Sequence, residues 1–169
     1  MSSLLLARHG ETDWNRDHRV QGQTDVALNA AGRAQADALA DSLDGTRIDA
    51  VYSSDLSRAV ETADAVARRH GLDVVVDTDL REKNFGSWEG LTDVEIADRF
   101  PDSVRGRWGD GESTEDVAAR VLPAIERIRA RHPGESVLVV SHGGPIRIIL
   151  DQNGVEHRRI GNCELFRLD

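Results

Sequence analysis

The stretch Leu4-Leu5-Leu6-Ala7-Arg8-His9-Gly10-Glu11-Thr12 decides how this chain reads. Four apolar residues running into a polar turn with a glycine are the pattern of a short strand buried on both faces. A cation and an imidazole stand where the strand stops. The arrangement recurs near the other end of the chain, where Val137-Leu138-Val139-Val140 runs into Ser141-His142-Gly143-Gly144. Between the two, residues 48–52 read as a strand that ends in Ser53-Ser54-Asp55, with Arg58 in the first turn of the next helix.

Helical patterns separate these strands. Residues 29–43 carry Asn29 as N-cap, Ala34, Ala38, Leu39 and Leu43 on one side, and Gly45 as the stop. A second helix is expected over 56–70 and a Val-rich third strand over 73–77. A short helix over 92–100 stops at Pro101, and residues 102–113 read as loop. A long helix over 114–131 opens on Ser113-Thr114-Glu115-Asp116, rich in capping residues and acids. Pro145 suits the first turn of a last helix over 146–150, and residues 165–168 read as an edge strand. Strands alternating with helices predict an α/β domain, with a mostly parallel sheet covered on both faces. Residues 1–169 read as one domain, without repeats or linkers.

Composition narrows the function. With 169 residues and 39% hydrophobic content, the chain can bury a core without staples, and its one cysteine excludes a disulfide framework. Thirty acidic against 21 basic residues, net charge −9, disfavour nucleic acid as a partner. Lys83 is the only lysine. No apolar run approaches the ~18 residues of a membrane span, and no basic leader precedes Leu4. The expectation is a soluble, reduced, cytoplasmic protein that touches no membrane.

In parallel sheets, sites gather at the carboxyl ends of strands. Arg8, His9, Arg58 and His142 would converge there, and Glu82 comes after the third strand. Arginine grips a phosphate through paired hydrogen bonds. Glycines beside the histidines let backbone N–H groups approach an anion. A neutral imidazole attacks phosphorus, and a nearby carboxylic acid protonates the leaving oxygen. The chain has no Walker-type phosphate loop and no metal-ligand spacing. The chemistry would therefore need no metal and no cofactor. Taken singly, each residue has a bland reading: a capped core histidine for His142, a surface pair with Arg81 or Lys83 for Glu82. All of them falling at strand ends is a poor coincidence.

The run Ala7-Arg8-His9-Gly10-Glu11-Thr12-Asp13-Trp14-Asn15 resembles the signature of the histidine phosphatase superfamily, in its phosphoglycerate-mutase-like branch. Four further segments match in order. They are Gln21-Gly22-Gln23-Thr24-Asp25 with Leu28, Tyr52 to Ala59 with Glu61-Thr62-Ala63, Leu80-Arg81-Glu82 with Phe85-Gly86 and Trp88-Glu89-Gly90, and Val140-Ser141-His142-Gly143-Gly144. The resemblance covers nearly the whole chain. It implies a three-layer α/β/α sandwich and a phosphohistidine formed on His9. Arg8, Arg58 and His142 would bind the phosphoryl group, and Glu82 would act as acid and then base. Asn15 would add a hydrogen bond to the phosphoryl oxygens and Gly143 a backbone contact, while Gln21 and Gly22 would border the substrate. His9 should be neutral and His142 cationic, so their environments should differ. Burial or carboxylate neighbours should keep a proton on Glu82, with Glu11 and Glu89 as candidate contributors.

Mutases and phosphatases share these residues. Mutases of the family carry a longer insertion after Gly90, with a lysine and paired arginines for the substrate carboxylate. This chain is short there and offers only Arg105 and Arg107, which read better as solvated. A shorter lid excludes water less well. The expectation is a phosphatase for a small phosphorylated metabolite, as a monomer or homodimer. The alternatives are a cofactor-dependent phosphoglycerate mutase, a phosphohistidine protein phosphatase and, last, a non-catalytic phosphate-binding protein. His18, His70, His132 and His157 read as surface or helix-end residues.

Overall fold

Neighbouring side chains of a strand point to opposite faces of its sheet, and in β1 (Ser3–Arg8) both faces are filled. The computed structural model describes residues 3–102 and 110–168. Leu4 and Leu6 pack into one apolar cluster, with Val117, Val121 and Ile128 of α5 (Thr114–Arg131) and Ile146 and Ile149 of α6 (Gly143–Gln152). Leu5 and Ala7 pack into another, with Ala36 and Leu39 of α2 (Ala30–Ser42) and Ala59, Ala63 and Val66 of α3 (Ser57–His70). The sheet is thus the middle of three layers.

Five strands compose it in the order β3 (Val74–Val76), β2 (Ala50–Ser53), β4 (Ser136–Ser141), β1, β5 (Leu165–Leu168). All pairings are parallel except that of β5 with β1. The adjacent strands β1 and β4 send their chains on to opposite faces, towards α2 and towards α6. That is a switch point, where the carboxyl ends of a parallel sheet leave a crevice.

The expected elements are present, with four corrections. On α2 the expected inner-side residues Ala34 and Ala38 are exposed, and Ala36 and Ala40 are buried beside Leu39 instead. The last helix starts at Gly143 and not at residue 146, so both glycines after His142 lie inside its first turn. Glycine is costly only in a helix interior, and Pro145 still falls in the turn that has no intrahelical acceptors. A short helix that no periodicity announces, α1 (Asp13–Arg16), comes after Thr12, its N-cap in a capping box with Asn15. Strand β3 has three residues, fewer than the expected 73–77, and stands at the sheet edge with Val75 and Val76 exposed. Asn29 is the N-cap of α2, accepting from Gly32 N–H, and a further short helix, α4 (Asp93–Arg99), occupies the 92–100 region. Arg105 and Arg107 lie outside the described residues.

Candidate active site

Strand register brings the two histidines together. Arg8 stands opposite Ser141, and Ser53 opposite Val140. The ladder continues one step, with His9 N–H donating to Ser141 O (3.1 Å) and Ser54 N–H to Val140 O (3.3 Å). His9, Ser54 and His142 then leave the sheet side by side, and the two imidazole centroids are 5.1 Å apart. Both rings are buried, 2% and 0% exposed.

Nδ1 of His9 lies 2.7 Å from the carbonyl oxygen of Gly10. A carbonyl only accepts, so Nδ1 carries the proton and Nε2 keeps its lone pair. Gly10 is itself fixed: its N–H donates to Thr62 Oγ1 (3.0 Å), whose hydroxyl donates to Arg58 O (2.7 Å). A Cβ at Gly10 would meet Gly32 O at 2.5 Å, so only glycine permits this approach.

Two guanidinium groups flank His9. Arg58, fully buried in the first turn of α3, donates from Nη1 to Thr24 O (2.8 Å) and from Nη2 to Gly22 O (2.6 Å). Arg8 donates from Nη1 to Ile160 O (2.7 Å). Burial lowers the pKa of both, that of Arg58 to about 10, while the charge of Glu82 acts the other way on each. His142 Nε2 is 2.7 Å from Ser54 Oγ. Among the described residues, Arg8 Nε, Arg58 Nε and His142 Nδ1 have no hydrogen-bond partner although buried. Such an atom costs about 1–3 kcal/mol unless something satisfies it, and all three belong to side chains grouped around His9.

The two histidines do not differ as expected. Burial first, and then Arg58 and Arg8, push His9 well below the usual imidazole value. Burial first, then Arg58, His9 and Arg8, do the same to His142. Shared burial beside shared arginines keeps both neutral.

Glu82 Oε1 accepts from Lys83 N–H (2.8 Å) and Oε2 from Gly144 N–H (3.3 Å). Arg81 pairs with Asp55 instead of Glu82. The backbone of the Glu82 segment is clamped by Arg120 of α5, which donates to the carbonyls of Asp79 (2.8 Å), Arg81 (2.7 Å) and Glu82 (2.9 Å). Glu112 holds the same guanidinium through both oxygens and accepts from Asn84 N–H (2.8 Å). Glu11 and Glu89 have other partners than Glu82. Glu11 accepts from Asn29, and Glu89 accepts the N–H groups of Gln23, Thr24 and Phe85, joining two loops at the rim.

A cavity of about 200 Å³ is lined by His9, Arg8, Arg58, Asn15, Gln21, Gly22 and Glu82, among others. Asn15 is set by the capping box of α1, and its Oδ1 also accepts from Asn162 (3.3 Å). Gln21 accepts from the Thr12 hydroxyl (2.8 Å). Gly22 supports Arg58 from behind through its carbonyl. Gly143 opens α6, whose first-turn N–H groups lack helical acceptors and carry its positive end. A second cavity of about 400 Å³ adjoins the first and shares Arg8, Glu82 and Phe85 with it. Ser54 lies in a strand-end turn the sequence does mark, though not its pairing with His142, whereas no sequence signal marks Arg120 and Asn162, whose partners lie far along the chain. His132, at the end of α5, meets the Tyr52 hydroxyl (3.0 Å) and Glu135 (2.6 Å), away from this site. Among the described residues, no group of three or more His, Cys, Asp or Glu side chains is placed to hold a metal ion. None of their helices is long and apolar enough to cross a membrane.

A family model described as "Histidine phosphatase superfamily (branch 1)" matches residues 4–168. The chain belongs to this family. Phosphoglycerate mutase-like protein 4 of Arabidopsis thaliana is 38% identical over 170 residues, covering 94% of this chain and 74% of the relative. The metal-independent phosphoserine phosphatase of Arabidopsis thaliana is 40% identical over 160 residues, covering 88% of this chain and 67% of the relative. Among solved structures, the mycobacterial glucosyl-3-phosphoglycerate phosphatase complexed with VO3 superposes with a TM-score of 0.90 at 36% identity, covering 99% of this chain and 90% of the other. Some relatives are much longer: the chain spans 43% of a bifunctional protein of Mycobacterium tuberculosis, at 45% identity over 156 residues.

Proposed function

We propose that this chain, as a single domain, is a metal-independent phosphomonoesterase that works through a phosphohistidine on His9. The observation that carries the reading is the fixed tautomer of His9. Its lone pair on Nε2 stands in a cavity with Arg8 and Arg58, beside His142. Nε2 attacks phosphorus, the bond to the ester oxygen breaks, and Glu82 gives that oxygen its proton. Water then attacks the phosphohistidine and passes a proton to Glu82. The P–N bond breaks, its electrons return to Nε2, and inorganic phosphate leaves. Arg8 and Arg58, held by carbonyls before the substrate arrives, stabilise the charge that builds on the equatorial oxygens. The phosphoryl dianion draws a proton onto His142, which is neutral without it. Asn15 and the N-terminus of α6 at Gly143 add donors, and Gln21 and Gly22 close the wall. Relatives named for phosphoserine and glucosyl-3-phosphoglycerate support a small phosphorylated metabolite as substrate.

The test is phosphate release from a panel of phosphomonoesters without added metal, run beside a mutase assay on 3-phosphoglycerate primed with 2,3-bisphosphoglycerate. Phosphate release that disappears in His9→Ala is the expected result. Isomerisation with little phosphate release would make the chain a mutase instead.

A further inference from the structure

With the phosphoryl group on His9 and the ester oxygen facing Glu82, the larger cavity gives room for the rest of the substrate, because it shares Arg8, Glu82 and Phe85 with the smaller. Its volume of about 400 Å³ is in the range of pockets for small ligands. Its apolar wall includes Val117, Ile148 and Ile160. Its charge runs against the composition of the chain. In a protein of net charge −9, this wall carries Arg147 of α6 and Arg159, which precedes β5. Both lie close enough to Arg8 to disfavour its charge. Gathering like charges costs energy unless an anion joins them. Neither Arg147 nor Arg159 has an ion pair or side-chain hydrogen bond among the described residues, whereas many other arginines of the chain do. The wall's own outward acid, Asp151, is engaged by His157 Nε2 at 2.9 Å.

We infer that this cavity is a leaving-group subsite, and that Arg147 and Arg159 bind a second anionic group carried by the substrate. The substrate class is then a small phosphomonoester with a carboxylate or a second phosphate on its alcohol. Guanidinium forks suit either anion, and the apolar wall takes the short carbon skeleton between the two charges. The inference rests on the phosphomonoesterase reading for the direction in which the ester points.

The experiment is a calorimetric titration that needs no turnover. The His9→Ala protein, or His9→Gln if the alanine protein does not fold, is titrated with 3-phosphoglycerate and with glycerol 3-phosphate. These share the carbon chain and the phosphate and differ in the carboxylate. We expect the carboxylated ligand to bind about tenfold tighter or more, about 1.4 kcal/mol. Adding Arg147→Gln or Arg159→Gln should lower that ratio about threefold or more each. Glycerol 1,3-bisphosphate as a third ligand tells a carboxylate site from a phosphate site by which anion gains more. Equal affinities for all ligands, or a ratio that neither arginine moves, overturn the inference. Wild-type phosphate release is read separately. Release without ligand discrimination keeps the phosphatase and removes the subsite; discrimination without release does the reverse.

Discussion

The inner and the outer cavity are built by opposite rules. In the inner one, His9, Arg58 and His142 are each held through one or more ring or guanidinium nitrogens by backbone carbonyls or a buried hydroxyl. His9 is held by Gly10 O, Arg58 by the carbonyls of residues 22 and 24, and His142 by Ser54. In the outer one, Arg147 and Arg159 are exposed and tied to no carboxylate among the described residues. In-line displacement needs donors already in place when charge develops, because reorganising them would add to the barrier. Recognition of a remote anion needs charge and tolerates motion. Substitutions inside should therefore strike kcat, and those outside should strike KM.

The largest expected effect comes from His9→Ala, which should abolish phosphate release while leaving circular dichroism unchanged, since the ring takes no part in the sheet ladder. Retained release would remove the covalent mechanism and with it the distinction between the cavities. Next comes Glu82→Gln. It should slow esters with poor leaving groups by about 10²–10⁴-fold and p-nitrophenyl phosphate far less, since only the former need a proton. Equal losses on both would take the acid role from Glu82. Arg120→Gln should produce a weaker copy of that pattern. Arg120 does not itself line the inner cavity but holds three carbonyls of the Glu82 segment, that of Glu82 included. We expect a kcat loss of about tenfold on poor leaving groups, and a loss that shrinks for p-nitrophenyl phosphate. A uniform loss across leaving groups, tracking a lower melting temperature, would make Arg120 merely structural.

The same divide governs how much of the molecule is legible in its sequence. The strands β1 and β4 are legible because a run buried on both faces must be continuously apolar. The residues after them are legible because parallel register carries consecutive positions to one rim. The start of α6 is not, because Gly143 and Gly144 are weak helix formers, yet at a helix start they cost little and admit Glu82 close to Gly144. The electrostatic split between His9 and His142 is expected from chemistry and is missing, since both rings share one buried environment. Arg120, Arg147 and Arg159 are unreadable for a simple reason: in a chain whose basic residues are nearly all arginine, only tertiary partners tell a clamp from a solvated side chain.

The smallest effect concerns stability against pH, and it separates the two cavities by sign. Above the ordinary imidazole value near ~6.5, His9 and His142 are neutral both folded and unfolded. Below it, the unfolded chain takes up protons on these residues while the buried rings, held well below that value, do not. The unfolded state then binds more protons, so stability falls as pH falls. The loss is at most about 1.4 kcal/mol per pH unit for each ring. Beside the outer cavity, His157, which pairs with the lining residue Asp151, behaves oppositely. Its pKa is raised by the hydrogen bond to Asp151, so its small contribution is present at low pH and fades as pH rises through the raised value. Melting temperature in phosphate-free buffer should therefore drop by several degrees between about pH 7 and pH 5. The slope should flatten in His9→Ala and persist in Arg147→Gln. Inorganic phosphate should restore part of the acid loss, since an anion among Arg8, Arg58 and His142 makes the protonated imidazole acceptable. A slope indifferent to both His9→Ala and phosphate would mean that the inner cavity is wetter than its burial indicates, and the contrast between the two cavities would fail at its base.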